Sequence, residues 1–587
     1  MGSQPPTRPN FLAIVADDLG FGDCSCFGSE ISTPNIDRLA SQSGSIRFAE
    51  FHIAAACSPT RSMLMTGTDH HIAGLGQLQE ITRNSPDHRG KPGHEGYLNK
   101  RVVALPELLR DGGYLTLMSG KWHLGIKPEH HPNKRSFNKS FALLPGCANH
   151  YAYEPEYQDP KSEPGKFFET ATRALHAENG KFLAESELGP NWYSSGGYTY
   201  KLLSYLSDRT DKERQQPFFA YLPFSAPHWP LQAPKDTCDK YRGFYDDGPE
   251  ALCQKRLQRL KGLGLIDKDV VPHPVATMPG EPAEWDQLDD ETRASSARAM
   301  EVYAGMVDRM DWNIGRMIQY LKDRDEYDNT IILFMSDNGA EGASYEAYPL
   351  VGTTIMDHVH EYYDNSLENI GRGNSFVWYG ARSAQAATAP SRLYKMFSTK
   401  GGCRVPLVVK PVAEEAASNS IVTDVFCTVM DIVPTILEYA GLGHPDTYAG
   451  RPVMPLHGKS WKPFLGQLDK MSRAQALFVV EPMITFVSKP KGPQRWELFN
   501  VKTDPGEMND LTESQPELMA EMLNLWEEYK AEVGVVGLAG EFPSMAMRQG
   551  APQDTPVKDG MEDPYAWIKY IKRPDITPEE LVDVVPV

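Results

Sequence analysis

No stretch of apolar residues in this 587-residue chain is long enough to cross a bilayer, a crossing that takes about 20 of them in a helix. The segment from Met1 to Pro9 also lacks the apolar centre of a secretory signal. Positive charge is short: 59 lysines and arginines stand against 78 acidic residues, a net charge of −19. That balance argues against nucleic acid as a partner. Cysteine is sparse, with eight residues in all. Cys24 and Cys26 are too close for an ordinary disulfide, and Cys147, Cys238, Cys253, Cys403 and Cys427 show neither disulfide nor zinc spacing. A single glycosylation sequon, Asn138-Lys139-Ser140, is the number chance provides. The expectation is a reduced, cytoplasmic protein without a membrane span. Repeats and low-complexity tracts are missing too, and at 41% hydrophobic the chain can bury one large core or two.

Among what is present, Cys57-Ser58-Pro59-Thr60-Arg61 stands out. It reads as a loop feeding a helix, because Pro59 suits a first helical turn, where a missing N–H costs little. In that helix Arg61 falls one turn beyond Cys57. A sulfur at a helix start beside a guanidinium is a good place for an anion.

Two apolar runs end in similar polar clusters. Asn10 to Ala16 leads into Asp17-Asp18-Leu19-Gly20, and Ile331 to Met335 leads into Ser336-Asp337-Asn338-Gly339. Continuous apolarity marks strands covered on both faces, as in a parallel sheet with flanking helices. Ligands of such sheets collect beyond the carboxyl ends of the strands. Three carboxylates and an amide therefore meet at one edge, an all-oxygen set suited to Ca²⁺ or Mg²⁺.

Basic residues flank further strand-like runs. Leu115 to Ser119 precedes Gly120-Lys121-Trp122-His123, and in extended chain Lys121 and His123 share a face. Phe218 to Leu222 precedes Pro227-His228-Trp229, and Lys400-Gly401-Gly402 precedes Val405 to Val409. With a net charge of −19, an anionic substrate gains nothing from the global field. Its binding requires a local cluster in a cleft: Arg61, Lys121, His123, His228, Lys400 and a metal.

These segments resemble the type I sulfatases, whose signature is Cys-x-Pro-x-Arg and which carry Gly-Lys-Trp-His, Pro-His and Lys-Gly-Gly segments around the sulfate pocket. Thr68 to Gly74, Asp311-Trp312-Asn313-Ile314-Gly315 and Tyr363 to Asn369 look like the bacterial arylsulfatases in particular. The similarity runs over residues 8–535. It implies an alkaline phosphatase-like α/β fold: a large, mostly parallel mixed sheet sandwiched by helices, and a smaller C-terminal α+β subdomain with a short antiparallel sheet. It implies that Cys57 is converted to formylglycine by a formylglycine-generating enzyme. It implies Ca²⁺ held by Asp17, Asp18, Asp337, Asn338 and the modified Cys57, with Mg²⁺ the alternative. One hydroxyl of the aldehyde hydrate, helped by Asp337, attacks sulfur. His228 or Lys400 protonates the leaving oxygen, Arg61 and Lys121 stabilise the transferring group, and His123 deprotonates the second hydroxyl so that sulfate leaves. The implied substrate is an aryl sulfate. The alternatives are alkyl sulfates and, on the same fold, phosphoesters or phosphonate monoesters.

The organisation expected is a catalytic domain over 8–460, a subdomain over 461–535 and a tail over 536–587. Val102 to Gly113 reads as a helix stopped by glycine, and Asp424 to Leu442 holds another. Met300, Tyr303, Met306, Val307, Met310, Ile314, Met317, Ile318 and Leu321 mark a long amphipathic helix. Residues 235–293 read as a surface excursion. Trp496 to Val501 looks like the last strand of the small sheet, but its usual upstream partner is not found between Leu477 and Arg495. The tail runs past the family's usual end and suggests a homodimer contact. Tyr151, Trp192, Tyr193 and Trp229 are candidates for an apolar lip around the leaving group.

Overall fold

Strand Asn10–Ala16 is buried along its whole length, as are Leu115–Lys121 and Thr330–Ser336. That is the burial expected of strands covered on both faces. The computed structural model describes residues 8–84, 87–88, 90–157, 173–189, 191–277, 282, 284–342, 354–416, 418–465, 482–488 and 491–537. Ten strands form one mixed sheet, in the order Ile421–Thr423, Ile46–Phe48, Leu407–Lys410, Thr330–Ser336, Asn10–Ala16, Phe218–Pro223, Leu115–Lys121, Lys139–Leu143, His176–Glu178 and Lys181–Phe182. The five strands from Thr330–Ser336 to Lys139–Leu143 are mutually parallel. Leu407–Lys410 runs antiparallel to both its neighbours. This is the α/β architecture expected, with its carboxyl ends gathered at one edge.

The sheet separates two cores. Leu12, Ile14, Leu117, Leu222, Ile332 and Phe334 face the helix Asp290–Asp323, whose nine predicted stripe residues are all buried. Phe11, Ala13, Val15, Met118, Tyr221, Leu333 and Met335 point the other way, into a core shared with Met63, Leu64, Leu105, Leu109, Ile432 and Ile436. The long helix starts ten residues before Met300 because Asp289 accepts a hydrogen bond from the Thr292 N–H at 2.7 Å, a polar start with no apolar stripe. The helix expected over 102–113 spans Leu105–Asp111, opened by the Glu107 carboxylate on the Ala104 N–H at 2.7 Å. Helix Ile432–Ala440 begins two residues before Pro434.

Residues 235–293 are more than a surface excursion. They contain the helix Gly248–Gly262, which buries Leu252, Leu257 and Leu260. It also buries Arg256, whose guanidinium pairs with Asp23 and, at 2.8 Å, with Glu30. The C-terminal sheet pairs Pro482–Phe486 antiparallel with Trp496–Asn500, so the upstream partner exists despite its unfamiliar sequence. Helix Pro516–Val533 lies against it through Trp496 and Trp526, whose ring centroids are 5.5 Å apart. Of the tail, residues 538–587 lie outside the described residues, and so does the dimer contact expected there.

Gly120 sits just before Lys121 at the carboxyl end of its strand, with φ +140° and only 1.9 Å between the place of a Cβ and the Pro223 carbonyl oxygen. Gly120→Ala is expected to lower stability by about 2–5 kcal/mol through backbone strain and overpacking. Urea unfolding checks this, and an unchanged midpoint contradicts it.

Candidate active site

Asn10–Ala16 and Thr330–Ser336 pair in register, Ala16 opposite Ser336, so the residues that follow them adjoin. The Asp337 N–H donates to the Ala16 carbonyl at 3.1 Å, and the Leu19 N–H to Ser336 Oγ at 2.9 Å. Asp18 adopts φ +70°, a left-handed backbone that turns its carboxylate back toward Asn338. Asn338 Nδ2 donates to Asp18 Oδ1 at 2.6 Å. Asp17, Asp18, Asp337 and Asn338 are all at most 1% exposed.

Three cations answer these three carboxylates. Arg61 places Nε at 2.7 Å and Nη2 at 2.6 Å from Asp337 Oδ2, and Nη1 donates to the Lys121 carbonyl at 2.9 Å. Lys121 Nζ donates to both oxygens of Asp17, at 2.8 and 2.7 Å. Lys395 Nζ contacts both oxygens of Asp18, at 2.9 and 3.1 Å, and Glu341 at 2.9 Å. Burial holds the Asp17 carboxyl well above the usual range, and Asp337 and Asp18 add to this against the pull of Lys121 and Arg61. Burial opposes the charge on Arg61, but Asp337, Tyr221 and Asp17 raise its pKa nonetheless.

Cys57 opens the helix Cys57–Thr66, every residue of which is buried. Its sulfur faces His123 Nδ1 at 3.2 Å, and His123 Nε2 faces Glu80 Oε1 at 3.2 Å. The carboxylate accepts the Nε2 proton and leaves Nδ1 as the basic nitrogen toward Cys57. Burial alone would push the thiol up, yet Lys121, His123 and Lys395 bring it down to about 7. Lys121 and His123 face the cluster as the alternation predicts, while Trp122 is buried with its Nε1 on the His130 carbonyl at 3.0 Å.

His228 Nδ1 donates to the Trp229 carbonyl at 2.7 Å, since a carbonyl only accepts. Its Nε2 lies 3.3 Å from Asp18 Oδ2 and 3.4 Å from Lys395 Nζ. Burial holds this imidazole well below its ordinary pKa, with Lys395 and Lys121 adding to the effect.

Lys400 requires a correction. Its ammonium pairs with Glu50 at 2.7 Å and donates to the Val501 carbonyl at 3.1 Å, and its backbone N–H donates to Glu507 at 2.7 Å. It ties the large sheet to the C-terminal unit. Lys395, five residues earlier, holds the place expected of it beside Asp18 and His228. Glu80 and Glu341 were also missed. All three lie outside any strand end, and only tertiary folding brings them in. Of the four aromatic lip candidates, Trp229 alone lies beside His228, their ring centroids 4.8 Å apart. Trp192 packs into the core on Phe141 and Tyr198. Tyr151 and Tyr193 are buried against each other at 5.1 Å. Phe376 and Trp378 join Trp229 instead, at 5.9 and 5.6 Å.

The donor set fits a hard divalent cation. Asn338 Oδ1 is buried and has no hydrogen-bond partner, which is costly unless a cation takes it. The Asp17 and Asp337 carboxylates converge with Cys57, and those of Asp17 and Asp18 with His228, each set offering one ligand atom per residue within 4.8 Å of the others. Asp17, Asp18, Asp337 and Asn338 would hold the ion.

A profile of the sulfatase family matches residues 9–442. An uncharacterized sulfatase of Schizosaccharomyces pombe is 48% identical over 548 residues, 91% of this chain and 96% of that protein. An arylsulfatase of Klebsiella aerogenes is 34% identical over 458 residues, 77% of this chain and 91% of the relative. Among solved structures, Ps i-CgsB in complex with a neocarrahexaose superposes with a TM-score of 0.61 at 23% identity, covering 93% of this chain and 98% of that one. The phosphonate monoester hydrolase of Agrobacterium radiobacter superposes with a TM-score of 0.50 at 18% identity, covering 90% and 96%. These two likenesses carry the fold.

Asp337→Ala removes a ligand and the partner of Arg61 together. The divalent cation retained after dialysis, read by elemental analysis, is expected to bind at least about tenfold more weakly. Unchanged retention contradicts the ligand assignment.

Proposed function

The chain belongs to the sulfatase family and hydrolyses sulfate esters, and from that premise we propose that its substrates are aryl sulfates, cleaved by a formylglycine made from Cys57 beside Ca²⁺. The observation that carries the proposal is the convergence of Cys57, its imidazole partner His123 and the Asp17–Asp18–Asp337–Asn338 cluster in one buried place. A sulfate monoester brings a negative charge. The three carboxylates already balance Arg61, Lys121 and Lys395, so the anion is accommodated only with further positive charge.

Formylglycine supplies a hydrated aldehyde as nucleophile, with a carbonyl that re-forms to release sulfate, and Ca²⁺ supplies Lewis-acid polarisation. The chain's own residues do the rest. His123, oriented by Glu80, takes a proton at Nδ1 from the group at position 57. Lys121 and Lys395 bind the non-bridging oxygens of the sulfate, with Arg61 fixing Asp337 and the Lys121 carbonyl around them. Lys395 Nζ, beside His228 Nε2, gives the leaving oxygen its proton as the ester S–O bond breaks, a role expected of His228 or Lys400; the His228 imidazole is held neutral with its proton on Nδ1 toward the Trp229 carbonyl. Trp229, Phe376 and the half-buried Trp378 next to His228 support an aromatic leaving group.

Cys57 is 2% exposed. A formylglycine-generating enzyme must therefore reach it before the chain closes over it. The eight cysteines form no disulfide, and on this we place the enzyme in a reducing compartment, the cytoplasm.

A panel of nitrophenyl, alkyl, choline and sugar sulfates, with matched nitrophenyl phosphate and phosphonate esters, tests the substrate class. The aryl sulfate is expected to show the highest kcat/KM, and preference for an alkyl sulfate or for a phosphorus ester contradicts the proposal. Cys57→Ser is expected to lower turnover by about 10³ or more and to retain sulfate on the protein, because a serine adduct has no carbonyl to re-form. Normal turnover of this variant contradicts it. Lys395→Ala is expected to lower kcat/KM by about 10²–10³. Lys400→Ala is expected instead to lower stability by about 3 kcal/mol, leaving Glu50 without its nearest cation, while kcat changes little. Steady-state kinetics and denaturant unfolding separate the two lysines.

A further inference from the structure

The turn that carries Asp18 is held from outside the cation site. At φ +70° the Asp18 backbone persists only where its surroundings fix it. One buried carboxylate does much of the fixing. Asp23 Oδ2 accepts from the Gly20 N–H at 2.8 Å and from the Tyr303 hydroxyl at 2.6 Å. The same hydroxyl lies 3.4 Å from the Asp18 carbonyl oxygen, so one O–H reaches both sides of the turn. Gly20 is also pressed against the Ala387 carbonyl oxygen, 2.6 Å from the place of a Cβ. That oxygen accepts from the Gly22 N–H at 2.8 Å, so the turn has no room to shift toward it.

The hold continues outward through two helices. Tyr303 belongs to the long helix Asp290–Asp323, and its ring stacks on Tyr379, with centroids 4.6 Å apart and planes 14° apart. Asp23 Oδ1 accepts from Arg256 Nη1, on helix Gly248–Gly262. Arg256 grips Glu30 with two prongs, Nε at 2.9 Å from Oε2 and Nη2 at 2.8 Å from Oε1, and Nη2 also donates to Ser29 Oγ at 3.2 Å. The Tyr245 hydroxyl donates to Glu30 Oε1 at 2.8 Å. Asp23, Tyr303 and Arg256 are each 0% exposed. A buried polar network with its partners in place is stiff as well as stable.

We propose that Asp23, Tyr303 and Arg256 are positioning residues of the cation site, fixing the turn of residues 17–20 so that the Asp18 carboxylate is aimed before an ion binds. The proposal rests on the reading of Asp17, Asp18, Asp337 and Asn338 as the ligands. None of the three residues acts on the ion itself; they act through the backbone of the turn. A turn free to leave the left-handed conformation has to be ordered when the ion binds, and that ordering is subtracted from the affinity. Groups that orient ligating carboxylates carry such effects in metal sites generally. Arg256 reaches in from the segment 235–293, so this apparent surface excursion has a part in shaping the site.

The test is Ca²⁺ binding to the full chain after chelator treatment, read by calorimetry at a temperature where circular dichroism shows each variant folded. Tyr303→Phe keeps the stacked ring and removes only the hydroxyl. Asp23→Asn keeps the shape and removes the charge that answers Arg256. Each is expected to weaken Ca²⁺ binding about 10–100-fold. A merely structural role lowers the melting temperature of the metal-free chain and leaves the affinity of the folded molecules untouched. Wild-type affinity in either variant therefore overturns the proposal, whether or not its melting temperature falls. If Asp23→Asn does not fold, Tyr303→Phe decides alone. Asp337→Ala, which removes a ligand outright, is measured beside them. Weakened binding there with wild-type binding in the other two strikes the positioning role alone. Wild-type binding in Asp337→Ala strikes the ligand reading, and the proposal with it.

Discussion

Asp17, Asp18 and Asp337 are buried together at adjoining ends of two parallel strands, and the rest of the site answers that arrangement. The pairing of Asn10–Ala16 with Thr330–Ser336 leaves these carboxylates no route to solvent. Buried carboxylates persist as anions only where countercharge and hydrogen bonds are supplied at short range. Arg61, Lys121 and Lys395 supply the charge, each from a different element: a helix start, a strand end and a loop. The uncommitted carbonyl oxygen of Asn338 marks the place where this network is still incomplete without a cation.

The same arrangement explains how a protein of net charge −19 binds an anion. Its global field repels sulfate esters. The binding energy comes from a few cations held in a low-dielectric pocket, where they act at full strength over a few ångströms. Cys57 sits among them at a helix start, and its thiol is drawn down to about 7 by Lys121, His123 and Lys395 even though burial opposes this. That shift reports the positive potential that the position presents to any negative group placed there.

Much of this was legible in the residues. The two apolar runs, one ending in Asp17-Asp18 and the other in Asp337-Asn338, are read correctly because a strand buried on both faces leaves a continuous signal, and a parallel register is enough to bring their ends together. The methionine-rich stripe gives the long helix in the same way. Lys395 was illegible because two lysines stand five residues apart, Lys395 inside the turn closed by the Phe397 N–H on the Tyr394 carbonyl and Lys400 at the start of the short helix Lys400–Cys403. Which of them enters the pocket depends on Glu50 and Glu507, distant in sequence, which capture Lys400. The helix Gly248–Gly262 was hidden because its buried face carries Arg256, whose burial depends on Asp23 and Glu30, both distant in sequence. Trp192 carries no mark distinguishing a core position from a pocket wall.

The account stands on the side chain at position 57 being an aldehyde in the working enzyme. The most direct measurement is mass spectrometry of the tryptic peptide 48–61 from fully active protein, treated in parallel with a hydrazide and with iodoacetamide. The account predicts a peptide that has exchanged sulfur and two hydrogens for one oxygen, that reacts with the hydrazide, and that takes up no alkyl group. A quantitatively alkylated Cys57 in protein of undiminished activity would contradict it.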